Sequence, residues 1–320
     1  MRRMIIAVLL LAITLGLLFV ATTTYRSVNT PSDVEVTQDG GLLTFSVNAD
    51  VNTSVDWEIS DVMNTAAQHR MLSGHTATVS LDPGRYSVTC TITDLKGGVR
   101  SVSDTISVQG AVDRTFSWTY DGQPCIITYT MDYSDVETYY NKSVSRGVSK
   151  ETDIYQYIVV DENTRRLADK MMDSYTLITG MAPVIDSADY AQFVLSFCQD
   201  AIEYVTDSSS RGQSEYWKFP LETLYDSNGD CEDTSILFAS ILSASGYSSV
   251  GVFLMPSHAL GAVALDDYTP QGNGTLVSSE RNGHMYYAAE TTSSSWSIGY
   301  TSSSFLDSIP LLYVGHQELI

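Results

Sequence analysis

The chain has 320 residues, 43% of them hydrophobic, enough to bury one large core or two smaller ones. Lys and Arg total 17 against 38 Asp and Glu, a formal net charge of −21. That balance offers no basic surface to offset phosphates, which excludes nucleic acid and anionic lipid heads as partners. The four cysteines, Cys90, Cys125, Cys198 and Cys231, show neither CxxC pairs nor metal-ligand spacing. If Cys231 is a free nucleophile, at most one disulfide can form among the other three, and the sequence selects no pair. Cys198 falls in a helical pattern, where a free cysteine is a small buried apolar residue.

Residues 4–21 are uncharged and apolar behind Arg2 and Arg3. The run exceeds the 7–15 residues of a signal-peptide core and approaches the ~20 of a spanning helix. The expectation is an N-terminal transmembrane helix over residues 1–25, an uncleaved signal anchor. Secretion is the outcome if that segment is cut. The two arginines place all later residues outside the cytoplasm. The sequons at Asn52, Asn141 and Asn273 are compatible with that side of the membrane.

After a polar linker, residues 33–110 alternate in short strands with turn signals, among them Leu43–Val47, Ser54–Ile59, Thr76–Ser80, Arg85–Ile92 and Ser101–Val108. This spacing predicts an antiparallel all-β sandwich. Pro83–Asp94 followed by Gly97-Gly98 resembles the late strands of a PKD-type immunoglobulin-like module, with Asp56-Trp57 and Asp61 hinting at its tryptophan motif. The segment carries no catalytic constellation.

Residues 111–320 form the second expected domain. Its lead-in, 111–160, starts with a hairpin around Asp121-Gly122 and continues into an ambiguous tyrosine-rich stretch, Tyr133 to Ile158. A helix is predicted from Asn163 to about Ile178. A clearer one runs from Ser187 to Val205, where Ser187 is the N-cap and Tyr190, Phe193, Val194, Phe197 and Ala201 form an apolar core stripe.

The chemistry centres on Asp226-Ser-Asn-Gly-Asp-Cys231-Glu-Asp-Thr-Ser, a polar turn that runs into the apolar helix positions Ile236, Phe238, Ala239, Ile241 and Leu242, with Gly246 as a stop. Cys231 stands at the helix N-terminus, where unpaired N–H groups and the dipole favour a thiolate. His258 opens a strand, His258–Leu265, and Glu290 ends the next, His284–Glu290. Nucleophile, base and orienting acid are thus available in the pattern of a thiol acyl-transfer triad. Gln213, Tyr216 and Trp217 are candidate oxyanion-hole donors beside the Cys231 backbone N–H. Asp230, Glu232 and Asp233 are read as acids favourable to a first helical turn. An EF-hand reading of Asp226, Asn228, Asp230 and Glu232 fails, because Cys231 and Leu237 occupy the positions that need Gly and Glu. No metal and no cofactor are expected.

Gly229-Asp230-Cys231-Glu232-Asp233, His258 and Tyr287-Ala-Ala-Glu290-Thr-Thr resemble the three signature blocks of the transglutaminase-like superfamily, more narrowly its secreted or membrane-anchored archaeal members. Tyr216–Leu224 fits the same group. The resemblance implies an α+β papain-like domain and a Cys–His–Asp triad acting on peptide or side-chain amides through a thioester, as a cysteine protease or a transglutaminase. Two departures stand out. Glu290 replaces the usual Asp, and Asp266–Gly283 lengthens the interval from His to acid as an extended polar loop. The alternative expectation is a catalytically idle cell-surface binding or structural module that keeps the fold.

Overall fold

A computed structural model of the chain describes residues 23–25, 34–62, 69–147, 154–306 and 308–314. It is strand-rich and mixed, with 39% strand against 27% helix, so sheets supply most of the framework. The expected transmembrane element is corrected here. No helix among the described residues is long and apolar enough to cross a membrane, and residues 4–21 lie outside the described residues. The chain divides into two compact units: Met1–Val112 with Asp132–Ser134, and Asp113–Met131 with Asp135–Ile320.

Among the described residues the first unit holds eight antiparallel strands: β1 (Thr23–Tyr25), β2 (Val34–Asp39), β3 (Leu42–Val47), β4 (Ser54–Asp61), β5 (His69–Ser73), β6 (Thr76–Ser80), β7 (Gly84–Thr93) and β8 (Val99–Val108). They form two sheets, ordered β1-β2-β3-β6 and β5-β4-β7-β8. Strict alternation in β7 turns Tyr86, Val88, Cys90 and Ile92 inward. These meet Leu43 and Phe45 of the opposite sheet in one core. Trp57 lies at its centre, fully buried, 5.4 Å from the Phe45 ring, and donates its indole N–H to Gly74 O at 2.9 Å.

The second unit opens with the hairpin β9 (Ala111–Tyr120) and β10 (Gln123–Asp132). Its two turn residues, Asp121 and Gly122, have φ of 47° and 73°, as a type I′ turn requires. The tyrosine-rich stretch begins with a helix, α1 (Tyr133–Tyr140), and α2 (Glu162–Thr179) follows the Asp161 capping box. Helix α3 (Ala188–Ala201) is capped by Ser187 and sets Phe193 and Phe197 against Phe116 and Trp118 of β9 at 5.2–5.6 Å. Then come β11 (Glu203–Tyr204), the short α4 (Asp207–Ser210), α5 (Pro220–Asp226), β12 (Asn228–Gly229) and α6 (Cys231–Ala244).

The main sheet has the order β16-β17-β14-β13-β19, from β13 (Val250–Met255), β14 (His258–Ala264), β16 (Ser278–Arg281), β17 (His284–Ala289) and β19 (Leu311–Val314). Helix α6 is buried from Asp233 to Leu242, not on one face only, because α2, α3 and α5 cover the sides that the sheet leaves open. The interval Asp266–Gly283 is not an open loop. It contains β15 (Thr275–Leu276), paired with β18 (Tyr300–Thr301), and β16, which forms a hairpin with β17.

Close approach of α6 to the sheet depends on Gly261 in β14. A Cβ there would lie 2.6 Å from the Phe238 ring and 3.3 Å from the Ala289 Cβ. Gly261→Val is expected to cost about 3 kcal/mol or more of stability by overpacking. Urea denaturation checks this, and an unchanged midpoint would contradict the packing described.

Candidate active site

Three backbone features set the start of α6. Ser227 adopts φ 57°, which ends α5 in a left-handed turn. β11 and β12 pair in parallel, Glu203 with Asn228 and Tyr204 with Gly229. Gly229 lets the chain pass over the first helical turn, since a Cβ there would come 2.6 Å from the Asp233 Cβ. Asp230 is the N-cap and Cys231 the first helical residue.

Cys231 is 6% exposed and belongs to an apolar cluster with Trp217, Phe219, Ile236 and Ala259. Its sulfur receives the backbone N–H of Ala259, the residue after His258. This ties the helix start to the His258 strand. The thiol donates to Glu232 Oε2 at 2.9 Å. Burial, then the Glu232 and Asp230 carboxylates, hold the thiol far above its usual range. The helix-start argument for an eased thiolate is therefore overridden locally by burial first and by neighbouring negative charge second.

His258 is buried at the start of β14, its ring 4.9 Å from that of Phe305. Nε2 meets Glu290 Oε2 at 2.8 Å. Glu290 follows the last residue of β17 and is fully buried. Its Oε2 also accepts from Thr301 Oγ1 at 2.8 Å, and its Oε1 from Thr292 N at 3.0 Å and Thr292 Oγ1 at 2.6 Å. Burial alone would push this carboxyl up, but the hydrogen bonds and charge of His258, with those of Thr292, hold it below the usual range. Glutamate thus reaches His258 with every oxygen satisfied.

The oxyanion-hole candidates separate clearly. Gln213 is exposed. The Tyr216 hydroxyl is committed to Glu222 Oε1 at 2.8 Å. Trp217 is buried and shares the cluster of Cys231, so of the three it lies beside the nucleophile. The four cysteines are free and buried.

Beneath Cys231 lies a polar cluster that periodicity does not reveal. Lys218 is 0% exposed, and its Nζ reaches Asn228 O at 3.0 Å, Asn228 Oδ1 at 3.1 Å, Asp226 Oδ2 at 3.2 Å and Asp233 Oδ2 at 3.5 Å. Arg211 also pairs with Asp226, and Arg146 with Glu222 at 2.6 Å. Among the described residues no cation pairs with Asp207, Asp230 or Glu232. Burial, followed by Asp233, Glu232 and Asp207, pushes the Asp230 carboxyl up to about 10. Burial pushes Asp233 up to about 7 against the opposing pull of Lys218, and Asp207 is raised by burial as well. The sequence did carry one signal for this cluster. A lysine inside the apolar run Trp217-Lys218-Phe219-Pro220-Leu221 must find buried acidic partners.

In comparisons with known proteins, no family model matches the chain and no curated protein matches it.

Proposed function

We propose that the protein is a thiol acyl-transfer enzyme acting on peptide or side-chain amides through Cys231, His258 and Glu290. The observation that carries the reading is the 2.8 Å contact of His258 Nε2 with Glu290, which leaves Nδ1 as the ring nitrogen able to serve a thiol. The Ala259 N–H on the sulfur supports it, because it sets Cys231 next to the residue that bears the base.

In the proposed cycle, substrate displaces the thiol from Glu232, and His258 Nδ1 takes the thiol proton. The thiolate adds to the amide carbonyl, with the oxyanion held by the Cys231 N–H and a donor near Trp217. The imidazolium returns the proton to the leaving amine as the C–N bond breaks, giving a thioester. Water, or a second amine, then attacks the thioester with His258 again as base. Hydrolysis is the first reaction proposed and transamidation the second. The resemblance to the transglutaminase-like superfamily supports the same chemistry.

A second reading, an idle binding module, draws on the Cys231–Glu232 hydrogen bond and the elevated thiol. The two are separated by incubating the protein with a mixed peptide pool and following it by intact-mass and peptide mass spectrometry. The enzyme reading expects cleaved or cross-linked peptides and an acyl adduct on Cys231, all absent in Cys231→Ser and His258→Ala. No turnover, no adduct and an alkylation rate for Cys231 unchanged by His258→Ala would leave the idle module.

A further inference from the structure

Asp207 in α4, Asp230 at the N-cap of α6 and Asp233 in its first turn each offer an oxygen, all within 4.8 Å of one another. Asp207 is 3% exposed. Its Oδ2 accepts the Tyr216 N–H, while its Oδ1 is buried without a hydrogen-bond partner. The Asp207 carboxyl lies against that of Asp230, whose own Oδ1 is likewise buried with no donor on it. Asp233 Oδ1 accepts the Lys218 N–H at 2.7 Å, and Oδ2 takes the Asp230 N–H at 3.4 Å.

Two facing buried carboxyls need a shared proton or a metal cation between them. Lys218 serves only one flank: its Nζ reaches Asp233 Oδ2 at 3.5 Å with Asn228 O, Asn228 Oδ1 and Asp226 Oδ2 closer, and among the described residues no ion pair joins it to Asp207 or Asp230. The nearby soft ligands are also committed, the Cys231 thiol to Glu232 and His258 to Glu290. The donor set is therefore all oxygen, which selects a hard divalent cation. Oxygens within 4.8 Å of one another can share one ion at the calcium–oxygen distance of about 2.4 Å, and a set of three protein carboxylates suits calcium, since magnesium keeps most of its waters and uses one or two carboxylates. The half-buried Asp230 leaves a side open for water ligands.

We propose that Asp207, Asp230 and Asp233 form a binding site for one calcium ion. The ion clips the segment carrying Asp207 and Tyr216 to the start of α6. The site stands whether or not Cys231 is active, because it rests on the carboxylates alone.

The test is calcium titration of the chelator-treated full chain by calorimetry and thermal melting. Binding to one site is expected, with magnesium at least about tenfold weaker and Tm raised by about 5–10 °C at calcium a hundredfold above Kd. Asp207→Asn and Asp230→Asn should each weaken binding by about tenfold or more, while exposed Asp173→Asn leaves it unchanged. Should one aspartate variant fail to fold, the other carries the comparison. No heat and no Tm shift in the parent protein at about 5 mM calcium, beyond the weakest ordinary sites, overturns the proposal. So does a protein that ignores calcium but is stabilised by mild acid, since a shared proton would then fill the gap.

Discussion

Glu290→Gln is expected to reduce turnover by about 10³–10⁴ while the protein stays folded. The glutamine oxygen can keep both bonds from Thr292. Its NH₂ must then face His258 Nε2 and Thr301 Oγ1, where Glu290 Oε2 now accepts at 2.8 Å from each. A donor at that place turns Nε2 into an acceptor and leaves the proton on Nδ1. The nitrogen proposed to take the thiol proton is then already occupied. Steady-state kinetics and a thermal melt, read together, check this. A variant that is folded and fully active would remove Glu290 from the mechanism. The same group predicts a pH effect on stability. Its carboxyl is depressed in the folded state, so its contribution is present above the unfolded value of about 4.3 and is lost as pH falls through the folded one. The stability gap between the parent protein and Glu290→Gln should therefore close in acid, below about pH 4.

Lys218→Met is expected to be the most destabilising single change in the second unit. Methionine keeps the volume of the stem and removes the ammonium. Asp226 retains Arg211, but Asp233, 0% exposed, loses its only ion-pair partner among the described residues. Removing one partner of a buried pair costs about 3–5 kcal/mol, because the other charge stays buried and uncompensated. For a unit of this size that is a fall in Tm of about 6–20 °C. Adding Asp233→Asn should recover part of the loss, since an amide oxygen can still accept the Lys218-position N–H now bonded at 2.7 Å. Differential scanning calorimetry of both single variants and the double variant measures the coupling. Additive losses would show that the pair is not energetically linked.

These two residues mark the limit of what sequence conveys. Cys231, His258 and Glu290 each sit at the end of a periodic element, and local pattern finds such ends. The turn before Cys231 and the apolar spacing after it announce α6, and short apolar runs bounded by polar turns announce β14 and β17. What local pattern misses is convergence. Asp207, Lys218 and Asp233 meet only because β11 pairs with β12 and draws the intervening segment over the helix start. The same blindness explains the thiol. A helix N-terminus is visible in sequence, whereas the direction in which the Glu232 side chain turns is not. The burial of α6 on all sides was equally hidden, because it depends on helices that the apolar spacing of α6 does not name. The short α1, eight residues in all, was too brief for a helical period to be recognised.

The hairpin formed by β16 and β17 is expected to hinder strand-to-strand self-association. β17 buries Tyr286, Tyr287, Ala288 and Ala289 on its two faces, and without a neighbour its outer rim would present a row of free N–H and C=O groups beside that apolar surface. β16 covers the rim with Ser278 and Glu280 exposed to solvent, and the Arg281 guanidinium donates to Leu312 O of β19. The long interval between His258 and Glu290 thus works as a gatekeeper for solubility. Trimming it to a short turn would expose a template on which two copies could stack strand to strand.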